Sequence, residues 1–368
     1  MTLEISKMDS IYELKDCIES MTEEEFVDYI MEQRERYFED YYQKYLKIYT
    51  KRIRRRRGGL LYFLCLTWPI SRHLISIYCR IAKIDSPVDT TDRRVFYSTF
   101  KGLVLPLIEE SGSPKNDTQY IVSVFRHIKQ LVEVWDLVVD EKSKKTLLAI
   151  LKCRLTRDVK ELSDISEKDE HQYFDYIVTN SLKNHQVIFV DAGGYTGDSS
   201  TTAIEKIPSI ERIYFYEPDS ESIKMARREL KKKAFAQKIV WEKAGLSNAK
   251  KQVTLYNKGS ASSLRTENDN DKGETIQLST LDNDIGEKVN FIKMDIEGEE
   301  LNALEGARRH ITEDSPLLAI CVYHKTDDLW GIPLYVLSLN KGYKMYLRHY
   351  KEVNLSETVF YCVPNINV

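Results

Sequence analysis

After His185 the chain changes texture. Short β-rich runs (VIFVDA, RIYFYEP, KIVWEKAGL, QVTLYN, FIKMD, LLAICVYH, YKMYLRH and TVFYCVP) continue to the C-terminus, and the helical stretches TTAIEKI and DSESIKMARRELKK separate the first three. Parallel strands need crossover connections, and helices that make those crossovers cover both faces of the sheet. The alternation therefore predicts a largely parallel α/β sheet over residues 185–368. The last two runs are joined by a short turn, which predicts an antiparallel hairpin at the sheet edge. Sheets of this kind bind ligands beyond the carboxyl ends of the strands, at the point where strand order reverses. The residues that follow each strand are thus the candidates for function.

Upstream the pattern is helical. With 368 residues the chain exceeds a single-domain size, and three regions are expected: a helical region at 1–92, a helical lead-in at 93–184 and the sheet domain at 185–368. In the first, Thr22 and Glu25 form a capping-box pattern, and apolar residues recur at Val27, Ile30, Met31, Phe38, Tyr41, Tyr42, Tyr45 and Tyr49. That spacing predicts one long amphipathic helix. It ends in the basic stretch Lys51 to Arg57, followed by Gly58, Gly59 and an apolar run, Leu60 to Ile70. Such a pair suits either a charged helix end packed on its own domain or contact with an anionic membrane surface, while the run is too short to span a bilayer. In the lead-in, Ile121, Val124, Phe125, Ile128, Leu131, Val132 and Trp135 keep helical spacing, and Glu109 to Gln119 is the strongest loop signal.

A formal net charge of -3 argues against a general nucleic-acid binder, so no specific nucleic acid is expected. Six scattered cysteines without a C-x-x-C pair read as reduced packing residues. No secretory signal is visible at the N-terminus, so the expected location is cytoplasmic, with the basic stretch allowing a peripheral position on the inner face of the membrane.

The first strand ends in VDAGGYTGDSS, which puts Asp191, Gly193, Gly194, Tyr195 and Gly197 in its turn. A dinucleotide fingerprint would need glycine where Tyr195 stands, and a carboxylate at Asp191 opposes a pyrophosphate. A ligand with a positive end and no phosphate suits the turn better, and S-adenosylmethionine is one. Glu217 closes the second strand, where a carboxylate can accept both hydroxyls of a ribose.

The segments VIFVDAGGYTGDSS, IYFYEPD, STLDN, FIKMDIEGEELNALEGA, LLAICVYHKTDDLWGIP and YLRHY…ETVFYCVP occur in an order that resembles the FkbM family of S-adenosylmethionine-dependent methyltransferases. The likeness covers about Asp140 to Pro364. It implies a class I (Rossmann-like) methyltransferase sheet behind a large N-terminal all-helical region. It also implies S-adenosyl-L-methionine as cofactor, S-adenosyl-L-homocysteine as product, and FIKMD as the fourth strand, ending beside the transferred methyl. Asp295 and Glu297 would then stand where the sulfonium meets the acceptor. Glu299 and Glu300 read as helix-start residues that offset the macrodipole. The resemblance also suggests that Ser260, Ser262 and Ser263 form a loop over the adenine.

Methyl transfer to a hydroxyl is an in-line displacement that is helped by a base. His324 is the first candidate and Asp295 the second, with Tyr323, Arg348 and His349 placed to hold the acceptor. Asp295, Glu297 and His324 also form a competent oxygen and nitrogen ligand set for a divalent metal. Their spacing matches no metal motif, so none is favoured. The reaction expected is O-methylation of a sugar, glycan or natural-product hydroxyl. The rivals are a non-catalytic docking module for a glycan-assembly enzyme and an NAD-dependent oxidoreductase.

Overall fold

The computed structural model describes residues 4–34, 114–158, 160–167, 171–183, 185–231, 235–256, 263–264, 274–352 and 355–365. The basic stretch, the apolar run after it and the predicted helix beyond residue 34 lie outside these residues, as do Ser260 and Ser262. Among the described residues no helix is long and apolar enough to cross a membrane.

The helical part comprises α1 (Ile11–Glu19), α2 (residues 23–34), α3 (Pro114–Arg126), α4 (Ile128–Leu137), α5 (Glu141–Thr156), α6 (Lys160–Ile165) and α7 (Tyr176–Leu182). The capping box that opens α2 is formed, with the Thr22 amide donating to Glu25 Oε2 at 2.8 Å and the Glu25 amide to Thr22 Oγ1 at 3.3 Å. At its other end the buried guanidinium of Arg34 donates to the carbonyls of Leu155 and Arg154, placing a cation on the negative end of α5. The expected loop from Glu109 to Gln119 needs correction, since α3 already begins at Pro114. Proline suits a first helical turn because its fixed φ is helical and the amide it lacks would be unpaired there anyway.

The sheet domain runs β1 (Val187–Ala192), α8 (Asp198–Lys206), β2 (Ile210–Tyr216), α9 (Ser220–Leu230), β3 (Ile239–Glu242), β4 (Gly245–Leu246), β5 (Lys251–Tyr256), β6 (Ser263–Leu264) and β7 (Glu274–Ser279). It continues through α10 (Leu281–Asp284), β8 (Phe291–Met294), α11 (Glu300–Glu305), β9 (Leu317–Cys321), α12 (Asp328–Leu339), β10 (Tyr343–His349) and β11 (Thr358–Pro364). Seven strands form the main sheet in the order β10-β11-β9-β8-β1-β2-β3. All pairings are parallel except those of β11, which is antiparallel to both β9 and β10. The terminal hairpin is present, but its second strand is inserted beside β9 and leaves β10 at the edge. QVTLYN does not join this sheet, because β5 belongs to a separate sheet of order β4-β7-β5-β6.

Alternation along β1 explains the layering. Val187 and Phe189 enter one apolar cluster, and Val190 and Ala192 enter the other. On the first face Phe189 stacks on Phe291 at 4.8 Å, and Phe174 meets both rings edge-on. On the second, the helical part packs directly against the sheet domain, with Ile5, Leu131 and Leu151 in one core with Ile292, Leu318 and Leu347. Chain order reverses direction between β1 and β8, so the switch point lies between their carboxyl ends.

Candidate functional site

The turn after β1 is built from the strand beside it. At Gly193, φ is +73° and an added Cβ would stand 1.8 Å from the carbonyl oxygen of Asp295, so only glycine lets this turn cross the end of β8. A Cβ on Gly194 would strike the Phe215 ring at 2.3 Å. The amides of Gly193 and Gly194 both donate to the Tyr216 carbonyl, and Gly197 then caps α8. Gly193 and Gly194 thus serve close packing on β8 and β2. Tyr195 stands exposed at the tip with φ +46°.

Asp191 lies beneath this turn and is fully buried. Its Oδ2 accepts from Ser199 and Ser200 at 2.6 Å each, and its Oδ1 pairs with Lys293 at 3.2 Å. The buried Lys293 ammonium also donates to the carbonyls of Ala192 and Gly193. In this state Asp191 organises the turn and offers no free face to a ligand. Glu217 is placed differently: its two oxygens accept the amides of Tyr195 and Asp219 at 2.9 and 2.8 Å, and burial raises its pKa. Each oxygen keeps a second lone pair for a ribose hydroxyl.

Beyond β8 the carboxylates of Asp295, Glu297 and Glu300 surround His324. Tyr173 donates to Asp295 Oδ2 at 2.8 Å and Tyr323 to Oδ1 at 3.1 Å. Burial works to raise the pKa of Asp295, but Lys293, His324 and the two hydroxyls outweigh it and hold the group below its ordinary value. His324 places Nδ1 2.9 Å from Glu300 Oε1, and Nε2 3.4 Å from Asp295 Oδ1 and 3.8 Å from Glu297 Oε2. Burial disfavours the imidazolium, yet Glu300, Asp295 and Glu297 raise its pKa to about 9. With its pKa raised, the imidazole holds its proton more firmly than a free histidine does, and His324 and Asp295 both stand as candidates for the proton acceptor. Backbone strain gathers at this edge, where Tyr173, Tyr195, Glu297 and Glu357 all hold positive φ.

Three features of the cluster differ from expectation. Glu300 does more than begin a helix: it is fully buried, takes the Ile296 amide at 2.9 Å and holds His324. Tyr173, from the lead-in region, is part of the site, and its φ of +68° aims the ring across the sheet end, where Lys293 sits over its face. Arg348 and His349 do not reach the crevice. Arg348 is buried on Asp140 at 2.6 Å and on Ser143, and His349 is fully buried with Nδ1 2.8 Å from Thr358 Oγ1. Both side chains are used in docking α5 and closing β11, so neither is free to hold an acceptor. One oxygen from each of Asp295 and Glu300 and one ring nitrogen of His324 lie within 4.8 Å of one another.

Residues 191–351 match the family described as the methyltransferase FkbM domain. Among solved structures, methyltransferase FkbM from Methylobacillus flagellatus KT is similar at 27% identity and a TM-score of 0.55, over 65% of this chain and 60% of that one. The chain thus matches less than two thirds of that protein's length. A methyltransferase from Geobacter sulfurreducens (14% identity, TM-score 0.34, 64% and 96% of the two chains) is more distant. So is an rRNA methylase from Streptococcus thermophilus (13%, 0.36, 54% and 98%). No curated protein matches the chain in sequence.

Proposed function

Taking residues 191–351 as an FkbM methyltransferase domain, we propose that the protein transfers a methyl group from S-adenosylmethionine to a hydroxyl of a sugar, a glycan or a related natural product. The observation that carries this is the convergence of Glu217 and Asp295 on either side of the Gly193 turn, at the switch point of a sheet of this topology. Glu217 receives the ribose hydroxyls, and Tyr195 covers the nucleoside. Asp191 and Lys293 act from below by fixing the turn. Ser262 is assigned to the adenine side on resemblance alone.

At the reacting end, bound S-adenosylmethionine would supply the methyl group and leave as S-adenosylhomocysteine, and Asp295 would take the proton of the acceptor hydroxyl. Tyr173 and Tyr323 keep the Asp295 carboxylate in one orientation, and orientation is the chief requirement of methyl transfer. His324 supports Asp295, and Glu297, which is half exposed, borders the acceptor. Contact with a membrane surface or a glycan-assembly enzyme through Lys51 to Arg57 and Leu60 to Ile70, from a cytoplasmic location, belongs to the same proposal. Calorimetry with S-adenosylhomocysteine, followed by transfer from labelled cofactor to a panel of glycans, tests it. Tight binding of NADH with no response to S-adenosylhomocysteine would sink it.

A further inference from the structure

We propose that the cluster around His324 binds a first-row divalent cation, Mn2+ or Zn2+, through His324 Nε2, Asp295 Oδ1 and Glu297 Oε2. Distances support this first. Nε2 stands 3.4 Å from the Asp295 oxygen and 3.8 Å from the Glu297 oxygen. Donors that share a cation at about 2.1 Å are themselves about 3 to 3.5 Å apart, so Nε2 and the Asp295 oxygen already stand at that separation and Glu297 must close on them. Glu297 is the exposed member and precedes Gly298, whose φ is +96°, in a turn free of regular structure.

The second support is Glu300. Its Oε1 lies 2.9 Å from Nδ1 of His324 and leaves Nε2 directed at the other two carboxylates. A carboxylate on the far nitrogen of an imidazole is the usual way a metal-bound histidine is oriented and made more basic. Oε2 of this same side chain, in a residue with no solvent exposure, accepts no hydrogen bond. A buried carboxylate with an idle oxygen is costly unless positive charge stands close.

Charge is the third. Asp295, Glu297 and Glu300 all face His324; Lys293 is paired with Asp191 and also acts on Asp295, and Lys325 is paired with Glu299. A divalent cation on Nε2 would take the place of an imidazolium proton and add one positive charge among the three carboxylates. One imidazole with two carboxylates suits Mn2+ or Zn2+; Ca2+ would want six to eight oxygens. The donors follow two different strands, β8 and β9, so no local sequence spacing announces them. The assignment rests on donor geometry and stands apart from the methyl-transfer proposal, although the two share residues.

The test uses the full chain stripped with a chelator, with Mn2+ followed by electron paramagnetic resonance and Zn2+ by calorimetry. The expected result is one cation per chain, a higher melting temperature with Mn2+, at least tenfold weaker binding in Glu297→Gln, and at least 100-fold weaker binding in His324→Gln. Circular dichroism verifies that both variants are folded, and Glu297 is exposed enough for its substitution to be tolerated. Absence of binding by folded, stripped wild type, or equal affinity in wild type and both variants, overturns the site. S-adenosylhomocysteine binding is read in the same samples. Metal binding without it keeps this site and removes the cofactor proposal, and the converse result does the reverse.

Discussion

The phenol of Tyr173 donates to Oδ2 of Asp295 at 2.8 Å, joining two residues 122 positions apart. The Tyr173 amide in turn donates to the Tyr361 hydroxyl at 2.9 Å, so the ring is fixed from β11 as well. Tyr173→Phe keeps the ring and its packing and deletes one donor to the carboxylate. If Asp295 takes the acceptor proton, turnover should fall about tenfold, about 1.4 kcal/mol, with S-adenosylhomocysteine affinity unchanged. Tyr173 is one of the groups that hold the pKa of Asp295 down, so the acid limb of the rate profile should move to higher pH. An unmoved limb with full activity would assign Tyr173 to packing alone.

Glu217 carries the cofactor proposal. Glu217→Gln keeps one oxygen acceptor for the Tyr195 or Asp219 amide and removes the charge that favours two hydroxyl donors. Affinity for S-adenosylhomocysteine should fall by about 1.5 to 3 kcal/mol, the scale of a hydrogen bond to a charged group. Titration calorimetry measures it. Affinity within a factor of two of wild type would place the ribose elsewhere.

Much of this fold was legible because it is written in short-range pattern. β1 and β11 coincide with VIFVDA and TVFYCVP, since burial on both faces demands unbroken apolar runs. QVTLYN reads as a strand equally well, but local pattern does not say which sheet will pair with it, and β7 supplied the partner. The site divides along the same line. Asp295 and His324 were legible as polar residues at strand ends, and Glu300 was hidden because an acidic residue in a first helical turn already has an ordinary explanation. Arg348 and His349 also end a strand, but Asp140 and Thr358, distant in sequence or across a hairpin, claim their side chains. Tyr173 carried no signal in the sequence, because its role depends on a backbone turn with positive φ.

Arg348 supplies a test of that distinction. Its guanidinium is buried against Asp140, which also caps α5 by accepting from the Ser143 amide at 2.8 Å. Arg348→Met removes one member of the pair and leaves a carboxylate without its cation, a loss of about 2 to 4 kcal/mol in stability. The Michaelis constant for any acceptor should stay within twofold once the protein is folded. A large rise in that constant with no loss in melting temperature would return Arg348 to the acceptor site.

Asp328 offers a prediction that depends on pH. It sits in the first turn of α12, nearly buried, and accepts the Lys325 amide at 2.7 Å. Burial, reinforced by the charge of Glu300, raises its pKa from 3.8 to about 7. The native state therefore binds this proton more tightly than the unfolded chain does. The stabilisation is complete below about pH 4 and is lost as pH rises through about 7. A shift of about three units corresponds to at most about 4 kcal/mol, and solvent access around the helix start reduces that to about 2. Asp328→Asn keeps the acceptor for Lys325 and carries no charge, so it should be more stable than wild type at pH 8 by that amount and equal to it near pH 4. Urea unfolding of both proteins across this range measures the difference. A constant offset between them would show that packing at position 328, and not its ionisation, sets the difference.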